Sequence, residues 1–375
     1  MIEMIMSFAL AFGISFYALP AIIHIAAEKG LYDFPDERKL HQKPIPALGG
    51  LAMFAGFITA FLLSVVFSGS HFVLQYFVAA ALIMFFIGLK DDLLNISPFK
   101  KFFGQLLAAS LLVFKGGLAI NSMGGILGIY DLPLLASQIF TIATIVVIIN
   151  AFNLIDGIDG LAGSLSFLSA TLFALYFAVN GDFAYACMAT SLAGAVGAFL
   201  IFNYPPARIF MGDTGSLLCG LVHAALVIHF IQTAGSAGVW VIQSPAAVGF
   251  AILFVPLFDT LRVFAFRIFS GIPPFTPDRN HVHHVLLRFG WSHLQITLFL
   301  TAVGLAVVLL SYQLQSWGNT RLLLLINGIG FLSIGLSLYL HKRRRQRILR
   351  RTIPRLVPDG AETPVISVSP KKAAK

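Results

Sequence analysis

Eleven apolar runs, separated by short polar connections, divide this chain from end to end. They fall at residues 2–27, 47–67, 72–89, 102–120, 133–151, 161–179, 183–202, 216–233, 245–267, 296–314 and 321–340. An α-helix rises 1.5 Å per residue, so roughly 20 apolar residues cross a hydrocarbon core of ~30 Å. Within lipid a helix satisfies its backbone polar groups internally, which predicts helices rather than strands for runs of this length. The pattern predicts an all-α polytopic membrane protein with about 11 transmembrane helices.

The polar connections then fix an orientation. Connections after runs 1, 3, 5, 7 and 9, counting the basic residues at the end of run 9, with the C-terminal tail, hold all but two of the 25 Lys and Arg; Lys115 and Arg321 are the exceptions. Basic residues gather on the cytoplasmic side of a membrane protein, which puts the N-terminus outside and the C-terminus in the cytoplasm. The opposite connections are short and carry little chemistry, so a catalytic site is expected on the cytoplasmic face.

Composition agrees with the pattern. Of 375 residues, 58% are hydrophobic and 11% charged, with a mean hydropathy of +0.88. That leaves too little polar surface for a water-soluble exterior. The first run has no basic segment before it and reads as a retained span rather than a signal peptide. Cys187 and Cys219 fall inside apolar runs, where they are expected to pack without forming a disulfide, and His24, His223 and His229 are expected to pack likewise. The net charge of +9 comes from residues 341–375, which hold eleven Lys/Arg and two Asp/Glu; residues 1–340 hold fourteen of each. Residues 1–340 therefore read as the membrane domain. Residues 341–375 read as a basic, disordered cytoplasmic tail whose partner is anionic lipid headgroups, not nucleic acid.

Candidate chemistry clusters on the cytoplasmic side. Asp156 and Asp159 stand three apart at the end of run 5, a spacing that would place them on one helical face. Carboxylates at a bilayer edge call for a cation, and a magnesium ion carried by phosphates is the natural one. Asp91 and Asp92 adjoin the end of run 3, where adjacent like charges suit metal binding or proton transfer. Arg38, His41 and Lys43 could hold a phosphate against the membrane. The turn Met211 to Ser216 opens a helix and could offer free N–H groups to an anion, with Asp213 or Thr214 as alternative N-caps. Further on come Asp259, Arg262, Arg279, His281, His283, His284 and Arg288. His281 and His284 would share a helical face with Arg288, a cationic surface for a diphosphate. Three close histidines could instead hold zinc, but the oxygen-rich remainder favours magnesium. A magnesium nucleotide meeting a lipid substrate fits the whole set.

Six stretches, RKLHQKPIPALGG, KDDLLN, NAFNLIDGIDG, RIFMGDTGSL, FDTLRV and DRNHVHH, stand in the order found in the polyprenyl-phosphate N-acetylhexosamine-1-phosphate transferase family. The chain resembles that family from about Pro35 to His293. The resemblance implies an all-helical bundle in a bacterial cytoplasmic (inner) membrane that moves N-acetylhexosamine 1-phosphate from a UDP-N-acetylhexosamine to undecaprenyl phosphate, releasing UMP. It implies Mg2+, with Mn2+ as an admissible substitute, and Asp156 as its ligand with Asp92 as a second candidate. By position, Asp91 and Asp92 would be the lipid-phosphate and catalytic pair. Asn150, Asn153 and Asp159 would line the nucleotide site, and Arg279, His281, His283 and His284 the diphosphate side. Val282 interrupts the three consecutive histidines usual in phospho-MurNAc-pentapeptide translocases, so the branch using simple donors such as UDP-GlcNAc is the closer match. UDP-GalNAc, the translocase activity and a homodimer stay open.

A proton-coupled transporter is the alternative from another class, and it predicts ionisable groups near mid-span. Here the carboxylates sit at span ends on one face, as an interfacial enzyme requires. A lipid-surface scaffold acting through the basic tail would leave them without a role.

Overall fold

The computed structural model describes residues 1–32, 44–68, 74–235, 238–271 and 281–352. Every apolar run contains a helix. The first eight are α1 (Ile2–Lys29), α2 (Gly49–Ser68), α3 (Leu74–Leu94), α4 (Pro98–Phe114), α5 (Leu134–Ile155), α6 (Leu161–Val179), α7 (Phe183–Asn203) and α8 (Gly212–Thr233). Then come α9 (Pro245–Ile252), α10 (Phe254–Phe269), α11 (Val282–Arg288), α12 (His293–Gln313) and α13 (Asn319–Thr352). By length and composition six of these helices can cross a membrane, or seven if α9 and α10 form one span. Shorter apolar stretches occupy Gly49–Val65 and Asn319–Gly335. The chain is thus an all-α, multi-pass membrane protein.

Two departures from the pattern matter. The ninth run is not one straight helix: it bends by 90° between α9 and α10. Pro256 explains the break, because proline has no N–H to give to the carbonyl four residues back and fits only the first turn of a helix. The new helix is also two-sided. It buries Asp259, Thr260, Val263 and Arg267 and exposes Leu261, Phe266, Ile268 and Phe269. The second departure is a hairpin between α4 and α5. Strand β1 (Ser122–Ile126) pairs antiparallel with β2 (Ile129–Asp131). Leu127 and Gly128 both take positive φ, 51° and 81°, the signature of a two-residue hairpin turn. Thr320 braces it, its hydroxyl accepting from Leu127 N at 2.9 Å and donating to Gly125 O at 3.0 Å.

The chain divides into two compact units, Met1–Ile329 and Gly330–Lys375. In the second, the helix continues through the start of the basic stretch to Thr352, with the Arg343 guanidinium 5.2 Å from the Tyr339 ring centre. The disordered tail expected further on lies outside the described residues.

In the first unit α8 is the central element, buried along nearly its whole length and in contact with α2, α3, α5, α6, α7 and α9. Glycine makes this possible. A Cβ on Gly50 would run into the backbone of Gly215, and one on Gly88 would lie 2.5 Å from Thr214 Cα. Without a large hydrophobic drive between helices in lipid, such close backbone approach is the main source of packing energy. Cys187 and Cys219 are buried and unpaired. His223 is buried with its ring on Phe152, and His229 pairs with Asp182 at 2.6 Å. His24 departs from expectation: its side chain is 75% exposed beside Glu28, because it points off the outer face of α1.

Gly88→Val forces two backbones apart, at about 1–3 kcal/mol for overpacking of this kind. The detergent-solubilised variant should melt below wild type, whereas Gly13→Ala, with nothing within 4 Å of the added carbon, should not. Equal melting of all three would contradict the packing described.

Candidate active site

The site begins where α3 ends and α8 starts. Asp92, in the last turn of α3, accepts from Asp213 N at 2.6 Å, Thr214 N at 3.0 Å and Thr214 Oγ1 at 2.6 Å. A carboxylate on the open N–H groups of a helix start gains both hydrogen bonds and the helix dipole. Gly212 has to be glycine here: its φ is +70°, and a Cβ would lie 2.8 Å from both Asp92 oxygens. Two expectations change. The α8 start is not an open anion site, since an internal anion already fills it. Nor does Asp213 or Thr214 cap its own helix.

Asp91 and Asp92 also diverge, because neighbours on a helix point about 100° apart. Asp91 accepts from Ile96 N at 2.6 Å and pairs with Lys101 Nζ at 2.6 Å. Lys101 extends from α4 and also holds the Asp213 carboxylate. Asp213 in turn accepts from Asn153 Nδ2 at 2.7 Å, and that amide reaches Ser216 Oγ at 2.9 Å.

Asn153 and Asn150 stand one turn apart near the end of α5. Asn150 lies deeper, giving an N–H to Gln105 Oε1 at 2.7 Å and accepting from Gln105 Nε2 at 3.3 Å. It braces α5 against α4. Helix α5 stops at Ile155, so Asp156 and Asp159 do not share a helical face as expected. The glycines that follow turn the chain, and Gly160 takes φ +77°. Asp156 is half-buried and makes no hydrogen bond among the described residues. Loss of hydration, then the negative charges of Asp213, Asp92 and Asp159, push its carboxyl up to about 8. Asp159 belongs to another neighbourhood: it accepts from Ala207 N at 3.2 Å and faces His293 Nδ1 at 3.4 Å. Its own carbonyl accepts from Thr297 Oγ1 at 3.0 Å. Asn203 ties the same loop down, accepting from Gly160 N and donating to Ile209 O, both at 2.8 Å.

The histidines do not form an open cationic face. His281 precedes α11 and is buried, its Nδ1 on Asp259 Oδ2 at 2.8 Å. His283 is buried against Gly157, and burial followed by its histidine neighbours holds its imidazole down at about 3, neutral at physiological pH. His284 is half-buried, its ring 4.3 Å from that of His283, and Arg288 is exposed. Arg38, His41, Lys43 and Arg279 lie outside the described residues.

Among the described residues no three His, Cys, Asp or Glu side chains gather as a metal cage. Magnesium does not need one, since it binds one or two carboxylates and completes its shell with water and substrate phosphate. Asp156, short of partners and crowded by negative charge, fits that requirement, whereas His281 is bound to Asp259 and the described histidines do not gather into a zinc site. Several contributors were not singled out from the sequence. Lys101 looks like ordinary cytoplasmic charge, and Ser216 and Asn203 carry no pattern. Gln105, 1% exposed in an apolar helix, was the legible signal, because polar groups inside a span need partners.

Comparison with known proteins follows the same residues. The family model for glycosyl transferase family 4 matches residues 74–231, a stretch holding Asp91, Asp92, Asp156, Asp159 and Asp213. The chain is 37% identical over 314 residues to the decaprenyl-phosphate N-acetylglucosaminephosphotransferase of Mycobacterium tuberculosis, covering 76% of each protein. It is 33% identical to the undecaprenyl-phosphate alpha-N-acetylglucosaminyl 1-phosphate transferase of Haemophilus influenzae, covering 73% of this chain and 77% of that one. The corresponding Salmonella typhi protein is 31% identical over 74% of each. With helix ends that bring five aspartates to neighbouring sites and relatives of this length and identity, the chain belongs to glycosyl transferase family 4, among the polyprenyl-phosphate N-acetylglucosamine-1-phosphate transferases.

Proposed function

We propose that the chain transfers GlcNAc 1-phosphate from UDP-GlcNAc to undecaprenyl phosphate, releasing UMP and leaving a lipid-linked diphosphate sugar that starts cell-envelope glycan synthesis. The observation that carries this is the meeting of Asp92, Asp156 and Asp213 beside Lys101 at the ends of α3, α4, α5 and α8. Such a site suits a diphosphate that arrives with a divalent cation. The family relatives are named for this reaction with polyprenyl phosphates, which favours it over the translocase activity and over a transporter.

The membrane arrangement we infer has eleven spans, the N-terminus outside and the carboxylates at the cytoplasmic face of a bacterial inner membrane. There a soluble nucleotide sugar and a lipid phosphate can meet. In the reaction, an oxygen of the lipid phosphate attacks the phosphorus next to the sugar, and the bond to the oxygen of the leaving UMP breaks. A phosphate monoester has its second pKa near ~6, so at neutral pH the nucleophile is largely charged and needs little activation. Asp156 would hold the magnesium ion, with Asp213 and Asp92 supporting the charge. The ion's contribution is to neutralise the diphosphate and the developing charge on UMP. Lys101 bridges Asp91 and Asp213 and offsets their charge, and Asn153 orients Asp213. Asp92 keeps the start of α8 in register with α3. The Asp159 loop, tied to Ala207, Asn203 and Thr297, keeps Asp156 at the end of α5.

Purified protein given undecaprenyl phosphate and magnesium should release UMP from UDP-GlcNAc and do so less well from UDP-GalNAc or UDP-MurNAc-pentapeptide. Preference for the pentapeptide donor would move the chain to the translocase branch, and no release from any donor would defeat the assignment. Asp156→Asn should reduce turnover by at least a hundredfold even at high magnesium, and near-normal turnover would remove Asp156 from the site. Deleting residues 345–375 should leave turnover within about twofold, since the tail serves lipid attraction rather than chemistry; loss of activity would favour a scaffold.

A further inference from the structure

We propose that Asp259 is a positioning residue of this transferase, a buried clamp through which the bent helix α10 sets the histidine segment against the Asp156 loop. The inference rests on the function proposed above. Asp259 is 1% exposed, and a carboxylate so buried is unfavourable unless donors meet it. Three do. Oδ2 accepts from His281 Nδ1 at 2.8 Å, and Oδ1 accepts from Val282 N at 2.8 Å and Arg262 Nη2 at 2.9 Å.

Two of the donors are consecutive residues of the other segment, so the clamp fixes a backbone as well as a ring. Because Nδ1 carries the proton given to Asp259, Nε2 is the remaining polar position of His281. The clamp's reach extends further. The His281 and His283 rings lie nearly parallel, 9° apart with centres 5.8 Å apart. His283 packs its Nε2 edge against Gly157, the residue after Asp156. His283 cannot anchor this arrangement by itself, since its buried Nδ1 has no hydrogen-bond partner among the described residues. The charged anchor is Asp259. The 90° bend between α9 and α10 turns the helix that carries Asp259 away from the line of α9, and there it meets the segment it holds.

The test is steady-state UMP release by the purified full chain, varying UDP-GlcNAc at saturating undecaprenyl phosphate and then the reverse. Asp259→Asn keeps the shape and removes the charge. It should raise the KM for UDP-GlcNAc about tenfold, as expected for a lost charge-assisted hydrogen bond, and leave the KM for undecaprenyl phosphate within twofold. A merely structural role would lower the maximal rate with both KM values fixed, and that result overturns the proposal. Val282→Pro is the second variant and decides the matter if Asp259→Asn does not fold. It deletes one N–H donor at the first position of α11, where proline is favoured, and His281 at φ −59°, ψ 150° already has the backbone that precedes proline. Its expected effect is a rise of about threefold in the KM for UDP-GlcNAc with unchanged melting; an unchanged KM overturns the clamp. Wild-type protein inactive with every donor would instead defeat the proposed function, and the clamp's role would fall with it.

Discussion

The carboxylate of Asp92 on the first turn of α8 is the contact on which the arrangement of the site depends. It joins the end of one helix to the start of another through three hydrogen bonds, in a region where unpaired N–H groups would be costly. Because its oxygens occupy the helix start, Asp213 is free to point away, toward Lys101 and Asn153. Glycines at positions 50, 88 and 212 let the backbones come close enough for that carboxylate to reach. The small residues and the charged ones therefore solve a single problem. A larger side chain at Gly88 or Gly212 would crowd the contact between Asp92 and its donors.

Around that contact the charges are unequal in kind. Asp92, Asp91, Asp159 and Asp259 each have donors within the chain. Asp156 alone among the five site carboxylates on α3, α5 and the loop after it, and α8 has no side-chain donor among the described residues; burial, and after it the negative charges of Asp213, Asp92 and Asp159, push its carboxyl up. A group in that state either takes a proton or meets a cation. The proposed function takes the second outcome, in which a cation carried by a diphosphate would relieve the crowding while substrate is bound.

Much of this was legible in the sequence. The eleven apolar runs each contain a helix, the candidate carboxylates lie at helix ends, and the motif order pointed to the family the relatives confirm. The errors share a cause. Spacing rules assume a continuous helix, so the reading placed Asp156 and Asp159 on one face, although α5 ends between Ile155 and Asp156 and glycine turns the chain. The same assumption missed the bend at α9 and α10, where Pro256 was the available signal. His281 and His284 were read with Arg288 as one cationic surface because charge and spacing say nothing of burial. That Asp259 would bury His281 depends on a contact across 22 residues, which no local pattern carries.

The claim at the centre is that Asp156 completes a cation site which substrate diphosphate shares. Electron paramagnetic resonance of Mn2+ added to purified protein with UDP-GlcNAc tests it directly, without relying on turnover. The account predicts one tightly bound Mn2+ per wild-type chain that weakens sharply without the nucleotide sugar and is lost in Asp156→Asn. Equal Mn2+ binding by wild type and Asp156→Asn would contradict it.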